Sequence, residues 1–257
     1  MLLENKKILI MGIRNKWSIA FGIAKSAYEN GAKLIFTFMG EENREKIEEL
    51  IKEFEGSKAY VLDGASEDEK VIETFKKIKE ENGKIDGLVH AIAHANTKDL
   101  HNDFICTSRD GFSHANDVSA YSFVLAARTA KELDLLNENA SLITLTYHGS
   151  TQVIKGYNVM GVAKAALEAS VRYLAENLGR EGLRVNAISS GPIKTLSAKG
   201  IKDFSSVLTE VEEKAPLHRN VTTLQVGNVS TFLLSHMSEA ITGQVIYADS
   251  GYSIMGV

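Results

Sequence analysis

A strand-like apolar run, an amphipathic segment and a closing glycine recur three times between Lys7 and Gly83, and a fourth apolar run follows. Lys7 to Gly12, Lys33 to Phe38, Ala59 to Leu62 and Ile85 to Ala91 are short runs rich in Ile, Leu, Phe and Val. Such runs suit strands buried on both faces. Between them lie Ser18 to Asn30, Glu41 to Phe54 and Glu67 to Asn82, which end at or near Gly31, Gly56 and Gly83. Glycine is the residue that most readily adopts the left-handed conformation closing a helix. Strand and helix in strict alternation leave little choice but a parallel sheet with helices on both faces.

The second half continues the pattern. Helices are expected over Ser113 to Leu133, Tyr157 to Leu178 and Thr223 to Ser235, with strands at Ser141 to Thr146, Leu183 to Ser189 and Val245 to Asp249. No low-complexity linker divides the chain, so the 257 residues are expected to form one α/β domain of the doubly wound, Rossmann type, with a seven-stranded parallel sheet. The only two prolines, Pro192 and Pro216, flank the longest irregular stretch, Gly191 to Pro216. Its place at the carboxyl edge of the sheet predicts a substrate-binding lid over about 192–216.

Composition narrows the function classes. A net charge of −4 argues against a nucleic-acid surface. One cysteine, Cys106, excludes an internal disulfide and fits a reducing compartment. The N-terminus lacks a signal-like apolar run, and no segment approaches a membrane span, so a cytoplasmic protein is expected.

The chemistry centres on Tyr157 and Lys164. At about 100° per residue, seven steps return nearly to the same helix face. A phenol above an ammonium can donate a proton to an oxyanion and hold a diol or an anion. Upstream, Gly12 allows a tight turn after the first strand, Ser18 can cap the next helix and meet a pyrophosphate, and Ala20 and Gly22 allow that helix to pack closely on the sheet. The loop lacks the G-x-G-x-x-G spacing and is equally compatible with an ordinary capped turn. Glu41 is either a ribose-binding acid or a helix N-terminal residue favoured by the dipole. No cation stands at 39–42 to meet a 2′-phosphate, and Arg44 is the nearest. Asp63 can meet an adenine amino group or serve as a turn residue before Gly64, and Ala91-Ile92-Ala93 is small enough to face a ribose or to pack as core.

Taken together, Gly12-x5-Ser18-x-Ala20-x-Gly22, Tyr147, Tyr157-x6-Lys164 and Gly191-Pro192-Ile193-Lys194-Thr195 resemble the bacterial enoyl-acyl-carrier-protein reductases, a divergent branch of the short-chain dehydrogenase/reductase superfamily. The resemblance spans essentially the whole chain. Most of that superfamily has Tyr-x3-Lys and an earlier strand serine; here Gly161 occupies the lysine position and Tyr147 stands near the serine position. The resemblance implies that Tyr157 hydrogen-bonds the thioester carbonyl, that Lys164 binds the nicotinamide ribose, and that Tyr147 lies beside the substrate. It further implies that Gly12, Ser18, Ile19, Asp63, Gly64, Ile92, Ile193 and Thr195 line the dinucleotide, and that Ala95, Met160, Ile201 and Phe204 line the acyl pocket. NADH rather than NADPH is the implied cofactor, enoyl-acyl-carrier protein the substrate, and a homotetramer the assembly. Lys194, Lys199, Lys202 and Arg219 are available on the lid edge for an acidic carrier. The small and apolar residues of the Ser113 and Tyr157 helices would suit a helix-pair interface.

Other residues carry less. His94 is expected to pack in the pocket wall. His90 and His148 lack metal-ligand spacing, and Cys106, with no base partner nearby in sequence, is expected to be structural. The Glu/Lys runs at 41–55 and 67–81 are expected to be solvated helix faces.

Overall fold

The computed structural model describes residues 1–195 and 204–256. Seven parallel strands form one sheet in the order β3-β2-β1-β4-β5-β6-β7. They are β1 (Lys7–Met11), β2 (Lys33–Phe38), β3 (Lys58–Val61), β4 (Ile85–His90), β5 (Leu136–Thr146), β6 (Arg184–Ser190) and β7 (Val245–Ala248). The order reverses between β1 and β4, so their carboxyl ends splay apart and leave the crevice in which ligands of such sheets bind.

The strand sequences alternate between two cores. Leu9 and Met11 face one layer, and Ile8 and Ile10 face the other. The first layer is covered by α3 (Asp68–Asn82), α6 (Ser122–Glu132) and α7 (Asn158–Gly179), through Phe75, Phe123 and Leu167 among others. The second is covered by α1 (Ile19–Glu29), α2 (Arg44–Ile51) and α9 (Thr223–Leu234), through Ile23, Ile47 and Leu233. Phe36, Phe38, Phe75 and Phe123 are fully buried, each contributing about 2–3 kcal/mol of apolar transfer.

Three expectations are corrected. Gly22 packs against α9 and not the sheet: a Cβ there would lie 2.3 Å from the Thr223 carbonyl oxygen, and one on Gly227 would lie 2.3 Å from that of Gly22. Paired glycines thus let α1 and α9 cross backbone to backbone, beside a hydroxyl pair, Ser26 Oγ to Thr231 Oγ1 at 2.8 Å. The Ser113 helix starts earlier, as α5 (Arg109–Asn116), and continues through a π turn at Asp117–Tyr121 into α6. Ser108 caps it by accepting from the Gly111 amide at 3.0 Å. The stretch expected to be irregular to Pro216 contains a helix, α8 (Phe204–Lys214), with Val211 and Ala215 buried.

Smaller differences have local causes. β5 begins at Leu136 instead of Ser141, because Leu136 pairs with Ile85 while Ser141 pairs with Gly87, and the extra residues loop out through left-handed Asn139. A short helix, α4 (Thr97–His101), lacks any sustained apolar period; the Asp99 carboxylate ties it to α5 by accepting from the Ser108 amide at 2.9 Å. At the far edge, the buried Arg184 guanidinium closes the carboxyl end of α9 by donating to the carbonyls of Leu233 at 2.9 Å and Ser235 at 3.2 Å. Among the described residues no helix is long and apolar enough to cross a membrane.

Candidate active site

A cavity of about 430 Å3 opens at the β1–β4 switch point. Its walls come from the loop after β1 (Gly12, Arg14, Asn15, Ser18), the end of β4 (Ala91 to Ala95), the end of β5 (Leu145 to Tyr147), the start of α7 (Tyr157, Met160, Lys164) and the segment after β6 (Ser190 to Ile193, Thr195). A polar hollow of about 510 Å3 lies elsewhere, between β3, α2 and α3. It is lined by charged side chains already paired with one another, such as Lys58 with Glu81 and Arg44 with Glu48.

Gly12 is at φ +88°, and a Cβ there would lie 2.6 Å from the Ala91 carbonyl oxygen. No side chain fits at that point, so backbone borders the cavity closely enough for a ligand to rest on it. Ser18 caps α1: its Oγ accepts from the Phe21 amide at 3.2 Å and donates to the Asn15 carbonyl at 2.7 Å. The first-turn amides and the dipole of α1 therefore face the cavity, which suits a pyrophosphate.

Tyr157 sits one step before α7, as its N-cap residue. Asn158 follows at φ 34° and fixes the entry by donating from Nδ2 to the carbonyls of Leu100 at 3.0 Å and Asn102 at 2.5 Å. Asparagine is among the few residues that tolerate this region. Tyr147, just past β5, packs edge-on to Tyr157 with ring centroids 5.0 Å apart. Burial pushes both phenols well above their ordinary range, so both are protonated donors at neutral pH. No hydrogen bond among the described residues engages either hydroxyl.

Lys164 lies on α7 with its ammonium donating to the Leu145 carbonyl at 2.8 Å. Burial lowers it to about 8, and the Glu168 carboxylate opposes that fall. Glu168 is itself held by the hydroxyls of Thr146 at 2.6 Å and Ser150 at 2.5 Å. Beneath them His90 is fully buried, its Nε2 2.8 Å from Ser122 Oγ and its Nδ1 3.0 Å from Thr144 Oγ1. Ser122 donates onward to the Val118 carbonyl at 2.7 Å, so it accepts from His90 Nε2–H. Burial, and then the Lys164 charge, hold His90 down at about 3, so it stays neutral.

The structure brings together Gly12, Ser18, Ile19, Ile92, Ala95, Tyr147, Tyr157, Met160, Lys164, Ile193 and Thr195 as expected. Asp63 and Gly64 lie outside the cavity wall. Asp63 is exposed and accepts from the Ala65 amide at 3.0 Å, while Gly64 abuts Ile92 from behind. Ile201, Lys199 and Lys202 lie outside the described residues, and Phe204 is placed only as the first residue of α8. Glu41 lies outside the cavity lining, opens a short 3-10 turn and binds Arg44 in two contacts. His94 lines the cavity at its rim, with its side chain exposed. Cys106 is exposed, which corrects the structural reading.

A family model described as enoyl-(acyl carrier protein) reductase matches residues 12–253. The chain belongs to the enoyl-acyl-carrier-protein reductase family. It is 50% identical over 256 residues to the enoyl-acyl-carrier-protein reductase (NADH) of Bacillus cereus, covering 99% of each chain. It is 49% identical over 252 residues to the enzyme of the same name, marked NADPH, from Staphylococcus aureus, covering 97% of each. The crystal structure of the Bacillus cereus reductase with NADP+ and indole naphthyridinone superposes with a TM-score of 0.96, covering 100% of this chain and 99% of that one. The Aquifex aeolicus reductase (NADH) gives 0.96 at 41% identity, covering 100% of both.

Within this enoyl reductase family member, packing accounts for Gly161. A Cβ at 161 would lie 2.6 Å from the Gly149 carbonyl oxygen, so the superfamily's usual lysine position is closed here by backbone. The ammonium comes instead from the next turn. Glu168, Thr146, Ser150 and Asn158 were not signalled by any motif, because their roles depend on contacts across long sequence separations.

Proposed function

We propose that this chain is an enoyl-acyl-carrier-protein reductase of fatty-acid synthesis that uses NADH. The observation that carries the reading is the pair of protonated phenols, Tyr157 and Tyr147, sharing one cavity with the Lys164 ammonium. The residues fit a dinucleotide: a helix N-terminus faces a glycine that no side chain could replace, and Lys164 lies deeper in the same cavity.

Bound there, the reduced nicotinamide supplies hydride to the β-carbon of a trans-2-enoyl thioester. Tyr157 hydrogen-bonds the thioester oxygen and stabilises the negative charge that develops on it. Lys164 holds the ribose hydroxyls, and its buried charge favours the oxyanion. Tyr147 braces the Tyr157 ring and orients the substrate. The α-carbon takes its proton from solvent. Asp63 and Gly64 border the adenosine end beyond Ile92, and Ile201 and Phe204 belong to the lid over about 192–216, within a single domain spanning 1–257. Exposed Lys194 and Arg219 meet the acidic carrier. NADH is favoured because Arg44 is held by Glu41 and Glu48 and so is not free for a 2′-phosphate. The assembly is a homotetramer in the cytoplasm.

The test is oxidation of NADH and of NADPH with crotonyl thioester, followed at the nicotinamide absorbance. Activity with NADH that falls about a hundredfold in Tyr157→Phe supports the proposal. Absence of turnover with either cofactor would refute it.

A further inference from the structure

The rim of the cavity carries a feature that enoyl reduction does not use. His94, just beyond β4, and His114, on α5, face each other with Nδ1 and Nε2 2.7 Å apart. Their rings are almost perpendicular, at 84°, with centroids 5.0 Å apart. His94 lines the cavity and His114 does not. The His94 backbone is fixed by Ser119, whose Oγ accepts from its amide at 3.0 Å and donates to its carbonyl at 3.1 Å.

We propose that His94 and His114 form a binding site for a late first-row divalent cation, zinc above all, at the rim of the cofactor cavity. Two imidazole nitrogens that share a proton at 2.7 Å can share a metal ion after a small movement. Tetrahedral zinc with Zn–N distances of about 2.0–2.1 Å places two nitrogens about 3.3 Å apart. The rings need part by only about 0.6 Å from their 2.7 Å contact, and the exposed His94 ring has room to turn. Both facing nitrogens must then offer lone pairs, so the ring that donates moves its proton to its outer nitrogen. Burial, and then the neighbouring His114, keep His94 below its ordinary range, which favours the neutral ligand form. The Asp63 carboxylate acts on His94 in the opposite sense, and the Arg14 guanidinium adds to the lowering, so the two nearby side chains bring opposite charges to the site. Among the described residues no group of three or more metal-ligating side chains occurs. The remaining coordination positions therefore belong to water, and imidazole ligation selects zinc, copper or nickel over magnesium or calcium. Of the two buried histidines among the described residues, His90 has both nitrogens against hydroxyls, and His148 is buried with its ring packed edge-on against Tyr147 and Tyr252.

The experiment is calorimetric titration of the full-length protein with zinc chloride near neutral pH, beside His114→Phe, His94→Gln and a magnesium chloride control. One zinc per chain in the wild type, lost in both variants, with no magnesium binding, is the expected result. Zinc is also expected to slow NADH oxidation by the wild type and not by His114→Phe, which retains basal turnover. Absence of saturable zinc binding, its survival in either variant, or equal binding of magnesium overturns the site. The effect on turnover rests on the enoyl-reductase reading and the calorimetry does not. A chain that binds zinc through this pair but reduces no enoyl thioester would therefore sink that reading and keep the site.

Discussion

Replacing Lys164 with methionine should make the protein more stable while impairing it as an enzyme. Lys164 is 5% exposed. Burial lowers its ammonium from 10.5, the ordinary value, to about 8. At neutral pH the folded protein therefore carries a charged group that would be better solvated in the unfolded chain, at a cost of about 3 kcal/mol. Methionine has a similar length, removes that cost, and leaves the Leu145 carbonyl without its partner, which costs about 1 kcal/mol. The net expectation is a gain of about 2 kcal/mol below pH 8. The sign of the pH dependence follows from the same shift. Between about 8 and 10.5 the unfolded chain binds the proton that the folded chain has released, so wild-type stability climbs relative to Lys164→Met and the advantage of the variant shrinks. Urea unfolding of both proteins at matched concentration, once below pH 8 and once inside that window, measures the difference. A variant less stable than wild type at neutral pH, with a gap that does not change with pH, would refute the reasoning. NADH affinity of the variant should fall in the same preparations.

Other perturbations separate chemistry from packing. Glu168→Gln removes the carboxylate that props up the Lys164 ammonium, so the basic limb of the NADH-binding profile, set near 8 by Lys164, should move to lower pH; a limb that stays in place would contradict the assignment. Gly161→Ala places a Cβ 2.6 Å from the Gly149 carbonyl oxygen and should cost about 1–3 kcal/mol in denaturant unfolding, with turnover reduced because Gly149 also adjoins the Tyr157 ring. Arg184→Met strips three carbonyls, those of Leu233, Ser235 and Ser238, of a buried donor; it should lower stability by about 3 kcal/mol without changing KM for enoyl thioester. Cys106 should react with a thiol reagent in the native protein, whereas a buried cysteine would need unfolding first.

The alternation of apolar runs and helices made the sheet legible in the sequence, because strands buried on both faces admit few other residues. The doubly wound class followed from that pattern, whereas the strand order came only with the structure, and most of the cavity lining was named through the family resemblance carried by Gly12, Tyr147, Tyr157 and Lys164. What escaped was set by contacts distant in sequence. Gly22 looked like a sheet-packing glycine because a single sequence does not show α9 crossing it. Glu168 looked like any helical glutamate; its two hydroxyl partners lie at the end of β5 and in the turn beyond it. His94 and His114 are 20 residues apart, on a strand end and a helix whose start the periodicity placed too late.

The backbone contact between Gly22 and Gly227 also has a consequence for how the molecule comes into being. The loop that begins at Gly12 leads into α1, and α1 is seated on a helix that leaves the ribosome some two hundred residues later. A nascent chain that has emerged only as far as β6 has its central strands and their packing against α1, but lacks the backbone contact with α9 that fixes the amino end of α1. Cofactor capture should therefore be a late event in synthesis, and a chain cut short before α9 should fail to retain dinucleotide even though every residue lining the described cavity lies ahead of the cut.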